Sequence, residues 1–171
     1  MAFRNTETTA LCMEKENKIR KLAKSNFHMK LFMLKHLPMA FLAGLKITNI
    51  DQATASVTVP YKYLNKNPFR SVYFAVLSMA AELSTGILAM AAINDFSIPI
   101  SMLVLEMKAS FLKKARTKII FKCHEGDQFS SAIARSIETG EGQITEVTSK
   151  GYDTKGDEVA EFKFTWTFKP K

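Results

Sequence analysis

What this chain has little of narrows it first. It holds two cysteines, Cys12 and Cys123, far apart and without ligand-type spacing, so neither a disulfide framework nor a zinc site is indicated. The three histidines, His28, His36 and His124, form no metal-ligand pattern. No structural metal is expected, and the fold must stand on packing. No stretch reaches the roughly 18 uninterrupted apolar residues of a membrane span. The richest, Val72 to Ile93, is broken by Glu82 and several Ser and Thr residues. The N-terminus (Arg4, Asn5, Thr6, Glu7) has no apolar secretory core, which leaves a cytoplasmic location as the default expectation. Repeats, low-complexity tracts and Pro/Gly-rich linkers are missing, so the 171 residues read as one domain with a helical extension in front. Helix-turn-helix, aromatic RNP and zinc-module patterns are missing too, and nucleic acid is not an expected partner.

What is present in excess is positive charge. The formal net charge is +8, and residues 1–36 hold eight Lys and Arg against three Glu. A second basic cluster runs through Lys108, Lys113, Lys114, Arg116, Lys118 and Lys122. Such surfaces meet phosphates, whether of nucleic acid, of anionic lipid or of a phosphorylated carrier, or they serve only solubility. Lys15, Lys18, Arg20, Lys21, Lys24, Lys30 and Lys35 could meet an anionic membrane surface, but membrane contact is not the expected role of these helices.

Periodicity supplies the elements. Leu11, Ile19, Leu22, Phe27, Leu31 and Leu34 recur at near-helical spacing from about Thr9 to Leu37, with a break and an N-cap at Ser25-Asn26 and an end at Pro38. Gly44–Ile50 and Ala53–Val59 read as strands joined at Asp51-Gln52, the second alternating cleanly and ending at Pro60. A turn-rich loop, Tyr61–Arg70, leads to Ser71 as an N-cap and to a helix reaching about Asn94. That helix is apolar nearly all round, so it should be buried on most sides, with a sheet curled about it. Met102–Leu112 follows as a strand with Leu103, Leu105, Met107, Ala109 and Phe111 on one face; Glu106 falls on the mixed face, exposed or salt-bridged. Then come Thr117–Cys123, a weak helix over Asp127–Ile137 capped by Asp127, and a hairpin of Ile144–Tyr152 and Val159–Phe168. The last strand sets Ala160, Phe162, Phe164, Trp166 and Phe168 on one face. Helices between strands are too few for parallel βαβ windings, so the class is α+β with an antiparallel sheet.

This order, with the segment Asn67-Pro-Phe-Arg-Ser-Val-Tyr-Phe-Ala-Val-Leu-Ser-Met-Ala-Ala-Glu82-Leu-Ser-Thr-Gly86, resembles the hotdog-fold thioesterases. The nearest branch is the domain of unknown function 4442 group, related to the PaaI-like thioesterases. The resemblance covers roughly Leu37 to Phe168, which implies an extension over 1–37 and a hotdog domain over 38–171. It implies a homodimer or dimer of dimers acting on acyl-CoA or acyl-carrier thioesters, with coenzyme A as part of the substrate and no separate cofactor. In that superfamily a loop Asn stands six residues before His-Gly-Gly, and an acid follows nine residues after the His. Asn67, Tyr73-Phe74-Ala75 and Glu82 occupy these spacings. By resemblance Glu82 is the catalytic carboxylate, Asn67 orients water or thioester, and the Phe74 N–H polarises the carbonyl. Tyr73 stands where the family has His, and Phe74-Ala75 where it has two glycines.

A carboxylate on a water-poor helix can act as general base, because burial raises its pKa, and a helix N-terminus offers free N–H donors where an oxyanion develops. Each residue also has a plainer role. Glu82 can be a buried acid satisfied by Ser78, by Ser84 or by a strand backbone, and Asn67 a turn residue before Pro68. Ser78 can bond its own helix backbone. Arg70, Lys113, Lys114 and Arg116 are candidates for the coenzyme A phosphates or simply a polar turn. Val72, Phe74, Met79 and Leu83 line an acyl tunnel or the core. The same fold without hydrolysis would be an acyl-CoA binder.

Overall fold

A computed structural model describes residues 17–171. The expected helix start at Thr9, with Leu11, Cys12 and Lys15, lies outside the described residues. The order of elements is α1 (Lys18–Lys24), α2 (Asn26–His36), α3 (Pro38–Ala43), β1 (Lys46–Ile50), β2 (Ala55–Val59), α4 (Phe74–Asp95), β3 (Ile100–Phe111), β4 (Ile119–Cys123), α5 (Gly126–Thr139), β5 (Gln143–Tyr152) and β6 (Glu158–Pro170), with a short 3-10 turn at Tyr63–Asn65.

Helix α4 organises the rest. Its 22 residues extend about 33 Å, and residues on every side of it are buried, from Val76 and Leu77 through Ala80, Ala81, Leu83 and Ser84 to Ala91 and Ala92. By length and composition it could cross a membrane; here it is the core helix of the domain. Six antiparallel strands in the order β1-β2-β4-β5-β6-β3 form the sheet over it. Val57, Val59, Ile119, Phe121, Val147, Phe162, Phe164, Trp166 and Phe168 all lie buried on its α4 side. Two polar ties cross this otherwise apolar contact. The Ser84 and Ser149 hydroxyls hydrogen-bond at 2.7 Å, and Trp166 Nε1–H donates to Thr85 Oγ1 at 3.3 Å. Buried polar groups must be paired, and these pairs fix the register of helix on sheet.

The N-terminal helices close the remaining side. At the C-terminal end of α4, Asn17 Nδ2 donates to the Ala91 carbonyl at 2.7 Å and to Asp95 Oδ1 at 2.6 Å. Arg20 forms a forked contact with Asp95, the shorter arm 2.7 Å, a cation where the helix dipole is negative. Ala23, Met29, Met33, Ala40 and Ala43 join the same core as the sheet.

Several local expectations need correction. Pro38 ends α2 but also opens α3, because proline suits the first position of a helix; α3 then stops at Gly44, whose φ of 76° suits glycine. Asn26 is the first helical residue of α2, and Ser25 its cap position. Ser71 does not cap α4. Its hydroxyl is held by Asn67 and the chain runs extended to Tyr73, which occupies the cap position without a side-chain bond. Asp127 lies inside the first turn of α5, which starts after Glu125, where the Gly126 N–H bonds the Ala53 carbonyl. A β-bulge between Val104 and Glu106 breaks the alternation of β3. Leu103, opposite Thr167, therefore lies on the outer face, whereas Met107, Ala109 and Phe111 pair with Phe164, Phe162 and Ala160 on the α4 side. Glu106 is exposed and bridges to Lys108 at 3.5 Å.

Close approach at one strand pair requires glycine. Gly151 sits opposite Phe121, and a Cβ there would lie 2.6 Å from the ring. Gly151→Ala is expected to destabilise by about 1–3 kcal/mol through overpacking, whereas Gly142→Ala, where a Cβ meets nothing closer than the Thr167 hydroxyl at 3.7 Å, should stay within about 0.5 kcal/mol. Urea midpoints of the two variants check the contrast.

Candidate active site

The loop before α4 is built on two asparagines. Asn65 is buried, and its Nδ2 donates to the carbonyls of Ala43 at 2.9 Å and Pro60 at 2.8 Å. Its own carbonyl receives the Tyr73 N–H at 2.7 Å. Asn67 folds a tight turn: its Oδ1 accepts from the Phe69 N–H at 3.0 Å and the Ser71 N–H at 3.2 Å, and its Nδ2 lies 3.0 Å from Ser71 Oγ. Arg70 sits at the tip of that turn with φ 58°. A bridge between Lys66 and Val72, and the Val72 N–H on the Ala115 carbonyl at 2.7 Å, then deliver the chain to α4. Asn67 thus sets the position of Phe74 through the loop.

Phe74 is the first residue of α4, and among the described residues no acceptor takes its N–H. This is the orphan-donor end of the helix. It faces a cleft of about 570 Å³ whose wall includes Asn67, Tyr73, Phe74, Phe111, Lys113 and Lys114. The exposed rings of Tyr73 and Phe74 meet edge to face at 4.8 Å, and Phe74 meets Phe111 in the same way at 6.4 Å. Lys113 bonds Asp153 at 3.0 Å and also pairs with Asp157, which raises the lysine's pKa and lowers that of Asp153. Its charge is therefore shared with the β5–β6 hairpin. Lys114 and Arg116 are exposed and have no ion pair among the described residues. Arg70 and Arg116 stand outside the lining of the cleft.

Glu82 lies eight residues further along α4, about 12 Å up the axis, in a separate cavity of about 260 Å³. Its neighbours there are His36, Leu37, Pro38, Met39, Met79 and Leu83. Among the described residues no donor or cation pairs with the carboxylate, and burial pushes its pKa above the usual carboxylate range. Neither serine offered by the sequence satisfies it: Ser78 Oγ–H donates to the Phe74 carbonyl at 3.0 Å, and Ser84 bonds the Ala81 carbonyl and Ser149. Space for the acid comes from Gly86, one turn on, where a Cβ would lie 3.0 Å from Glu82 Oε1 and 3.5 Å from the Trp166 ring. Glycine costs a helix interior about 1 kcal/mol relative to alanine, and that unexplained glycine was the signal in the sequence. The cavity wall at His36–Met39 had none.

Within one subunit, then, Asn67, Tyr73, Phe74, Lys113 and Lys114 come together, and Met79 joins Glu82 elsewhere. Both cavities border apolar surface without cover: Phe69, Tyr73, Phe74, Phe111 and Leu112 at the Phe74 cleft, beside the end of the edge strand β3, and Leu37 and Met39 at the Glu82 cavity.

Solved structures share this architecture. A Pseudomonas aeruginosa protein described as a probable thioesterase superposes with a TM-score of 0.71 at 18% identity, over 85% of this chain and 96% of its own. A thioesterase from Haemophilus influenzae gives 0.63 at 14%, over 85% and 91%, and the Escherichia coli PaaI protein of the phenylacetic acid degradation operon 0.58 at 16%, over 86% and 94%. The fold is the hotdog fold. The family described as domain of unknown function DUF4442 matches residues 26–168, and the chain belongs to it. The match begins at Asn26, the first residue of α2. A search of curated proteins finds no match.

The raised carboxyl pKa has a consequence for stability. The folded state holds the Glu82 proton more tightly than the unfolded chain does, so ionisation costs stability. The cost is absent below the unfolded pKa near 4.5, grows as pH rises through the folded value, and is complete above it. Glu82→Gln should therefore raise Tm near neutral pH and lose that advantage below pH 4.5. Calorimetric scans at both ends of the range check the sign.

Proposed function

We propose that the chain is a cytoplasmic thioesterase that hydrolyses acyl-CoA or acyl-carrier thioesters, with Glu82 as general base. The observation that carries this is the unpaired, largely buried Glu82 carboxylate in an apolar cavity, on a helix whose N-terminal N–H is free. An uncompensated buried acid is costly, and sites that need a base near working pH are where such acids are kept.

In this mechanism Glu82 takes a proton from water as the oxygen attacks the thioester carbonyl carbon. The carbonyl electron pair moves onto oxygen, where the Phe74 N–H stabilises it with the positive end of α4. Collapse of the intermediate breaks the C–S bond, and the leaving thiolate takes the proton from Glu82. The acyl chain lies against Met79, Leu83 and the Leu37–Met39 wall. Lys114, Arg116 and Arg70 are the cations available for the phosphates of coenzyme A, with Lys113 already paired. Tyr73 stands at the mouth beside Phe74, and Asn67 acts by holding the loop that presents the N–H.

One subunit holds Glu82 and Phe74 too far apart for one carbonyl. A homodimer resolves this by joining the Glu82 cavity of one copy to the Phe74 cleft of the other, and the unpaired edge of β3 with its exposed apolar residues supports such pairing. A second reading, an acyl-CoA binder without turnover, draws on the Phe74 ring, which occupies the place where the family has glycine.

The test is an acyl-CoA hydrolysis panel. Glu82→Gln should lower kcat by at least about 100-fold with the fold intact. Phe74→Pro deletes the N–H at a helix position that accepts proline, and should cost about 100-fold, whereas Phe74→Ala keeps the donor and should retain most activity. Mixing the two inactive variants as heterodimers should restore one site of two. Saturable binding with no turnover by wild type would establish the binder instead.

A further inference from the structure

Helix α2 has two apolar faces. Met29 and Met33 are buried in the core. Phe27, Leu31 and Leu34, on the opposite side at 100° per residue, are 73%, 56% and 52% exposed. Lys30 falls about 40° to one side of this stripe and Lys35 about 40° to the other, and neither makes an ion pair among the described residues. The surroundings carry charge of one sign: from Lys18 to Ile50 there are seven Lys and Arg and no Asp or Glu. Two of the seven are engaged, Arg20 by Asp95 and Lys21 by an interaction of its own.

We propose that the Phe27–Leu31–Leu34 face of α2 seats the protein reversibly on an anionic phospholipid surface. A stripe of Phe and Leu bordered by lysines is the arrangement of helices that lie in the bilayer interface, apolar side chains below and ammonium groups among the phosphates. The opposite face fixes α2 to the domain, so the stripe is presented without a folding cost. Charge argues against a second copy as occupant. Twofold pairing of this face would bring Lys30 and Lys35 against the same lysines, whereas lipid phosphates neutralise them. The helix ends at His36 and Leu37, which wall the Glu82 cavity, so docking brings that cavity close to the membrane. The inference does not depend on whether Glu82 hydrolyses a thioester.

The experiment is co-sedimentation of the full chain with vesicles of phosphatidylcholine containing about one-third phosphatidylglycerol, against phosphatidylcholine alone. Wild type should bind the anionic vesicles preferentially, and less at high salt. Lys30→Gln with Lys35→Gln should lower partitioning about 30-fold, and the triple change Phe27→Ser, Leu31→Ser, Leu34→Ser should lower it at least about tenfold. All five side chains are exposed, so circular dichroism should be unchanged. Glu82→Gln should bind as wild type does, which separates this result from any loss of hydrolysis. Equal binding to neutral and anionic vesicles, no binding, or triple-variant binding like wild type would overturn the proposal. So would a triple variant that only alters oligomeric state, which would assign the stripe to a second copy.

Discussion

A helix that is apolar on every side has to be covered on every side, and covering α4 dictates most of this structure. The sheet can curl over only part of the circumference, and it does so with the aromatic face of β6 and the small and β-branched residues of β2 and β4. The three N-terminal helices close another sector, pinned at the far end by Asn17 and Arg20. What remains is a strip near the start of α4, running from Phe74 past Ser78 to Glu82, which the chain covers only in part. The unpaired acid and the free helix N-terminus both lie on this strip, where water or a second molecule can reach them.

The chemistry of that strip depends on what is missing from it. A side chain at position 86 would crowd the Glu82 carboxylate against Trp166, and a hydroxyl reaching from Ser78 or Ser84 would pair it. Ser78 instead bonds back along its own helix and Ser84 is held by Ser149 across the core. The result is an acid with neither a partner nor full solvation, and burial holds its pKa above the usual carboxylate range. The loop that delivers Phe74 is held by the opposite means, since the Asn65 and Asn67 side chains bond several of its backbone groups.

Much of this was legible from periodicity. The all-round apolarity of residues 74–95 identified the core helix, and the alternation in β2 and β6 identified the faces of the sheet. Legibility failed where a local event overrode the pattern. In β3 one inserted residue reversed the outward and inward sides, so Leu103 left the face that strict alternation had assigned it. At Ser71 a side chain suited to capping was already bound by Asn67. At Pro38 the signal for an end was also the signal for a beginning. Asn65, buried and structural, has no sequence mark that separates it from Asn67. The cavity wall at His36–Met39 is created only when α2 and α3 fold against α4, a contact between segments about forty residues apart that no local pattern encodes.

The bulge in β3 also bears on how this protein behaves at high concentration. An edge strand twelve residues long, with apolar side chains exposed along it, would by itself invite any extended chain to add on, and then another after that. The kink between Val104 and Glu106 interrupts the regular ladder of free N–H and C=O groups, and Glu106 and Lys108 put charge just past the interruption. A straight foreign strand can match only one half of such an edge. The irregularity therefore works against the open-ended stacking of strands that leads to fibres.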